Sequence, residues 1–352
     1  MKKLPIEAIL DKMTTAEKAN LCDGEGSWHT HGVERLGIPG AMMTDGPHGL
    51  RKRIQVNDEW TTVHSTCLPT ASALAASWNR EVAALAANTI AKEAVAESVS
   101  VVLGPGVNMK RSPLCGRNFE YFSEDPYFAG DFAAAYINAM QGNGVGSCIK
   151  HFAVNNQETR RFTVSANVAA RPLHEIYLRA FEIAIERAKP EAIMESYNRI
   201  NGKHAAESRW LLDDLLRKKW GFEGVVMTDW WAYVCREGDK PAKTDFATMV
   251  KAQNDLYMVC PDSEKNEHGD NTVESLHDGS LTLGELQRCA KNICRFMMNT
   301  HAFMRMQNEE DTIEILGAEE GFEECVGDLT YYKVDREVVI DLSGHEISKG
   351  TS

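Results

Sequence analysis

Hydrophobic and polar residues follow two rhythms along this chain. Apolar residues recur at helical spacing in TASALAASWNREVAALAANTIAKEAVAES (70–98), AGDFAAAYINAMQG (129–142), RPLHEIYLRAFEIAIERA (171–188), RWLLDDLLRKKWG (209–221) and LTLGELQRCAKNICRFMMNTHAFM (281–304). Between them lie GIPGAMMTDG (37–46), VSVVLGPG (99–106), GVGSCIKHF (144–152), AIMESYN (192–198), GVVMTDW (224–230) and NDLYMV (254–259). Each is a short apolar run bounded by Gly or polar residues, the pattern of a strand buried on both faces. Strands of this kind separated by helices predict a parallel sheet. Six such units within about 260 residues suit a TIM-like (β/α)8 barrel, regular or irregular, better than an open sheet.

The apolar runs end unevenly. Their C-terminal ends carry Thr44-Asp45, Gly104-Pro105-Gly106-Val107-Asn108, Lys150-His151, Ser196-Tyr197-Asn198 and Thr228-Asp229, while their starts show no comparable richness. In a barrel all these ends meet on one rim, where active sites are built. GVVMTDWWA (224–232) is the sharpest case, since an apolar run delivers one carboxylate, Asp229, beside two indoles. A solvated loop acid is the bland alternative for Asp229 taken alone. Its place among five polar strand ends favours a convergent site.

Composition narrows the partners. The 352 residues are 43% hydrophobic and 25% charged, with a formal charge of −13, which suits a neutral small molecule and disfavours nucleic acid and anionic membrane. The start MKKLPIEAILDKMTTAEK lacks the unbroken apolar core of a signal peptide, and no uncharged stretch reaches transmembrane length. Nine cysteines, none in a C-x-x-C pair, read as reduced, buried thiols. A cytoplasmic location is the expectation. His29 and His31 in WHTH stand two apart with no acid or cysteine at ligand spacing, and GNGVG (142–146) precedes a strand, so neither a metal nor a nucleotide cofactor is expected. After residue 305 the texture turns acidic and then alternates like a strand; residues 1–305 read as one barrel, and 306–352 as a linker leading towards a β-rich module.

The blocks TDGPHGLR (44–51), GPGVNMKRSPLCGRNFEYFSEDP (104–126), KHFAVNNQETRR (150–161), MESYNRING (194–202) and VVMTDW (225–230) closely resemble the family 3 glycoside hydrolases, chiefly their bacterial β-glucosidases. The resemblance runs in order from about Leu21 to Arg305. It implies that Asp229 is the nucleophile of a retaining glycosidase, forming a covalent glycosyl-enzyme. It further implies a sugar clamp of Asp45, Arg51, Arg117, Lys150, His151 and Arg161. Tyr197 would orient the nucleophile, and Met194 and Trp230 would form apolar walls for a pyranose face. Taken singly, Asp45 and Asn108 also suit helix caps, Lys150 a snorkelling lysine and His151 a core histidine. Trp231 is expected to point away from whatever Trp230 faces.

The family's acid/base is the missing part. In most of its β-glucosidases this is a glutamate on a second α/β-sandwich domain, for which this sequence has no room. The histidine solution of barrel-only relatives needs K-H-F-P-G-H-G, and this chain reads KHFAVNN. Glu120, Glu158 and Glu195 are barrel glutamates without motif support. The expected acid donor is therefore a sandwich domain elsewhere in a longer protein, or a separate subunit. The reading is an exo-acting β-glucosidase barrel acting on terminal β-D-glucosyl residues of small glucosides or oligosaccharides. A β-xylosidase, or a barrel that binds sugar without turnover, is the alternative.

Overall fold

The computed structural model describes residues 6–46, 48–57, 59–234 and 240–306, together with the backbone of two short strands, Glu314–Leu316 and Tyr331–Lys333. Those two strands pair antiparallel; the remainder of 307–352, and residues 235–239 of the insert after Asp229, lie outside the described residues.

Five of the six apolar runs form one parallel sheet. We label its strands β1 (Met43–Asp45), β2 (Val101–Leu103), β3 (Gly146–Phe152), β4 (Ala192–Glu195) and β5 (Val225–Met227). They lie side by side in chain order. The sixth run, 254–259, is not a strand. It continues the sheet through single hydrogen bonds, with Leu256 N donating to Val226 O and Thr228 N donating to Leu256 O. Tyr257 then bonds to Cys22 and Gly24, and the hairpin Gly24–Glu25/His29–Thr30 reaches Ala41 and Met43. A ring of backbone hydrogen bonds thus returns to β1. The barrel is TIM-like and irregular, and the eight-stranded parallel ladder of a regular barrel is absent among the described residues.

The helices differ in detail from the periodicity. The 70–98 run divides into Ala71–Ala76 and α1 (Arg80–Ala96) at Trp78, whose φ of 54° no helix tolerates. Asn79 restarts the helix by accepting from Glu81 N, a cap worth about 1 kcal/mol. Then come α2 (Pro126–Gly142), opened by an Asp125 cap with Pro126 at its first position, α3 (Arg179–Ala188) and α4 (Leu283–Met297). The 209–221 run is wound as a π-helix, Trp210–Lys219. Close approach of α2 to α3 depends on Gly130, where a Cβ would stand 2.8 Å from Ala180 O and from Ile183. Among the described residues no helix is long and apolar enough to cross a membrane.

Strand parity divides the interior. Val102, Ile149, Ile193 and Val226 pack outward against α1, α2 and α3, in a core that includes Phe152 against Phe181 at 5.1 Å. Their neighbours Val101, Leu103, Cys148, Ala192, Met194, Val225 and Met227 face inward with Met43 and Tyr257. Each fully buried Val, Leu, Ile or Met side chain among them contributes about 1.5–3 kcal/mol. The same parity carries two residues further: Met43 to Asp45, Cys148 to Lys150, Met227 to Asp229. The inward register that builds the core thus aims the polar strand ends into the barrel mouth.

Candidate active site

At that mouth lies a cavity of about 840 Å³. The expected nucleophile, clamp and wall residues all line it: Asp45, Arg51, Arg117, Lys150, His151, Arg161, Met194, Tyr197, Asp229 and Trp230. Trp231 lines it too, against expectation. The expectation assumed strand alternation past Asp229, but the chain has left β5 by then and Trp231 adopts φ 58°.

Asp229 is buried, two residues beyond Met227 at the end of the inward core. Its Oδ1 accepts from Trp230 N at 2.8 Å, and its own N–H donates to Glu195 Oε1 at 3.1 Å. Burial raises its pKa above the usual aspartate value, opposed by the charge of Arg117, the Tyr197 hydroxyl, the Trp230 N–H and Lys150. The Tyr197 hydroxyl itself donates to Trp230 O at 2.7 Å, so it fixes the backbone just after Asp229. Glu195 is fully buried behind the site. Burial, and then the nearby Asp229 charge, push its pKa well up.

The cations are equally specific. Lys150 reaches Asp45 Oδ1 at 3.2 Å and Glu120 Oε2 at 3.8 Å from a fully enclosed position. Burial alone would lower its pKa, but Asp45 and Glu120 more than offset this, and the net shift is upward. Arg117 bonds Glu120 through Nε and donates to His151 Nε2 at 2.8 Å. A guanidinium only donates, so Nε2 is the acceptor and the His151 proton sits on Nδ1, 3.1 Å from the Tyr121 hydroxyl. Burial, Arg117 and Lys150 hold the His151 pKa well below its ordinary value, so the 3.8 Å approach of Nε2 to Asp229 is not an ion pair. Asn108 is no helix cap. Its side chain accepts from His151 N at 2.7 Å and donates to His151 O at 2.9 Å, which locks the histidine backbone.

The rim is looser. Arg51 returns to β1 by a hydrogen bond from its N–H to Asp45 O, and its guanidinium lies 3.6 Å from Asp45. Arg161 donates to Glu158 at 2.9 Å and lies 4.7 Å over the Tyr197 ring. Trp230 donates to Ser27 O at 2.8 Å and packs against Trp28 at 5.4 Å. Residues not anticipated are Trp28, Tyr121 and the buried partner roles of Glu120 and Glu195. Glu120 was visible only as an acid three residues after Arg117, and Trp28 only as the first residue of WHTH.

Elsewhere the described residues contain no cluster of three potential metal ligands. His31 instead shares Glu25 with Ser263. Five of the seven described cysteines are buried free thiols, but Cys67 is exposed and Cys115 partly so, a correction to the expectation.

Comparison with known proteins agrees with this fold. A model described as the glycosyl hydrolase family 3 N terminal domain matches residues 17–296. The chain is 44% identical over 315 residues to thermostable β-glucosidase B of Acetivibrio thermocellus, covering 88% of this chain and 39% of that one. It is equally identical over 300 residues to an exo-α-(1→6)-L-arabinopyranosidase of Bifidobacterium breve, covering 84% and 38%. Among solved structures, a β-glucosidase from Paenibacillus barengoltzii superposes with a TM-score of 0.80 at 41% identity, over 86% of this chain and 34% of that one. β-Glucosidase 3B from Thermotoga neapolitana, in complex with glucose, gives 0.77 at 38% identity, over 86% and 44%. The chain therefore spans under two fifths of the length of the curated relatives named. With a matched model over most of its residues, this chain belongs to glycosyl hydrolase family 3, through that family's N-terminal barrel domain.

Proposed function

We propose that this barrel is the nucleophile-bearing part of a retaining, exo-acting β-glucosidase. The observation that carries the reading is Asp229, buried at the end of an inward-facing strand, with Arg117 and Lys150 close enough to favour its ionised form. Asp45, Lys150, Arg117 and His151 offer acceptors and donors to the hydroxyls of one pyranose. Asp229 attacks the anomeric carbon through the oxygen that Trp230 N–H does not hold. The C1–Oδ bond forms as the bond to the leaving oxygen breaks, and that oxygen takes a proton from the acid. Water then attacks C1, giving its proton back to the same group and releasing Asp229.

The acid is assigned to another domain or subunit on local grounds. Of the other carboxylates lining the cavity, Asp45 and Glu120 face Lys150, and Glu158 is held by Arg161. Glu195 is sealed behind the site with Oε1 engaged by Asp229 N–H. His151 has both ring nitrogens occupied. A group poised to protonate a leaving oxygen is thus better supplied from outside the described residues.

A second reading is favoured by one observation. The relatives include an enzyme named for an arabinopyranoside, so a pentopyranoside, xyloside included, is the alternative substrate. The test is hydrolysis of 2,4-dinitrophenyl glycosides, whose leaving groups need little acid help, followed by NMR of the first product. β-Glucose formed first, with the glucoside preferred over the β-xyloside and α-L-arabinopyranoside, is expected. α-Glucose formed first would sink the retaining mechanism.

A further inference from the structure

Trp231 is among the cavity residues that the catalytic scheme does not use. Trp231 lines the cavity and is 45% exposed, whereas Trp230 is 9% exposed and tied to Ser27 and Trp28. Its backbone stands at φ 58°, a left-handed conformation that glycine adopts freely and a bulky side chain does not. The N–H of Trp231 donates to Met258 O at 2.7 Å, which pins that conformation. Trp231 is thus unfavourable in conformation and in exposure at once. Backbone outliers of this kind collect where a side chain is needed for contact.

Depth decides what it contacts. The nucleophile Asp229 and two of the hydroxyl partners, Lys150 and His151, are buried at the cavity floor. A ring bound to them fills the floor, and what it is bonded to must lie towards the mouth, where Trp231 stands. Resting on the glycosidase reading, we propose that Trp231 is a leaving-group platform, its indole face stacking on the flat face of a second pyranose or an aryl aglycone. It confers preference for glucosides whose leaving group is a ring, and takes no part in holding the glucosyl unit itself.

The test pairs two reagents that label a retaining nucleophile. In 2-deoxy-2-fluoro-β-glucosyl fluoride the leaving group is a single atom; in the 2,4-dinitrophenyl 2-deoxy-2-fluoro-β-glucoside it is a ring. For Trp231→Gly the ratio of ring to fluoride labelling rates should fall about tenfold, the worth of one stacked pair. Trp231→Phe should recover most of that ratio. The melting temperature of the glycine variant should stay level or rise, because the backbone is relieved; a merely structural tryptophan would lower it. In parallel, cellobiose and glucose are titrated by calorimetry, which needs no turnover. The wild type should bind cellobiose more tightly, and Trp231→Gly should bind the two alike. A cellobiose loss confined to the ring sugar, with aryl labelling unchanged, limits the platform to pyranoses. An unaltered ratio together with an unaltered cellobiose advantage, or a wild type that binds cellobiose no better than glucose, overturns it. A wild type labelled by neither reagent but showing the Trp231-dependent cellobiose advantage would leave the platform standing and the catalytic reading fallen.

Discussion

The two ends of this barrel each hold a cavity, and they differ in kind. The one at the strand ends is the smaller, about 840 Å³; the other, about 1120 Å³, lies beside the starts of β4 and β5, among Pro190, Glu191, Phe222, Gly224 and the last turn of α4. Both contain charges. At the strand starts Lys291 meets Glu7 at 2.6 Å, with the lysine side chain 32% and the glutamate 72% exposed. At the strand ends Lys150 meets Glu120 with both side chains under 5% exposed. An exposed pair of this sort contributes little, while a buried one is held only by the partners that satisfy it. Volume therefore does not mark the site. Charge that the fold keeps dry, at the ends of strands whose inward parity aims it, does.

The largest effect that sharpens this contrast is at the nucleophile. Asp229→Ala should lower the rate with dinitrophenyl β-glucoside by more than about 10⁴-fold while glucose still binds, measured by stopped assay and calorimetry. A normal rate would remove Asp229 from the mechanism. Next comes Lys150→Met, which leaves Asp45 and Glu120 without their shared cation. Losing a charged hydrogen bond to a sugar hydroxyl costs about 1.5–3 kcal/mol, so glucose affinity should fall by about 10- to 100-fold. An affinity within error of wild type would reduce Lys150 to a packing residue.

Burial of carboxyls makes the pH dependence specific. The Asp229 pKa is raised, so labelling by fluoroglucosyl reagents should decline as pH falls while the pH is still above the ordinary aspartate value of 3.8. Glu195 acts on stability. Its folded pKa lies well above the ordinary 4.5, so the folded state holds the proton more tightly than the unfolded state. The stability this gives is fully present below 4.5 and is lost as pH rises through the raised value. Glu195→Gln, which cannot ionise, should flatten that loss in urea melts taken across the pH range. A wild-type melt with no such decline would contradict the raised pKa of Glu195. The smallest effect belongs to the other cavity, where Lys291→Met should leave the labelling rate where it was. A clear loss there would break the distinction between the two ends.

Much of this was legible in the chain itself. Polar clusters at apolar run ends mark Asp45, Lys150, His151 and Asp229, because a parallel barrel gathers those ends and period-two parity aims them. What escaped has definite causes. Trp231 was misplaced because alternation was carried past Met227, where β5 stops. The 70–98 run hides its break because Trp78 is apolar and in step, and only its positive φ interrupts the helix. The 254–259 segment looks like a strand but makes single bridges, since its neighbours are an irregular hairpin on one side and β5 on the other. Glu195 reads as one more strand residue until its enclosure behind Asp229 is known.

The most direct test of the account is the mass of the intact protein after incubation with 2-deoxy-2-fluoro-β-glucosyl fluoride, with peptide mapping of any adduct. Oδ of the nucleophile displaces fluoride at C1, and the 2-fluoro group slows the release that follows. The account predicts a gain of one fluoroglucosyl unit, carried by Asp229. A protein that binds glucose yet gains no mass, or carries the adduct on another residue, would contradict it.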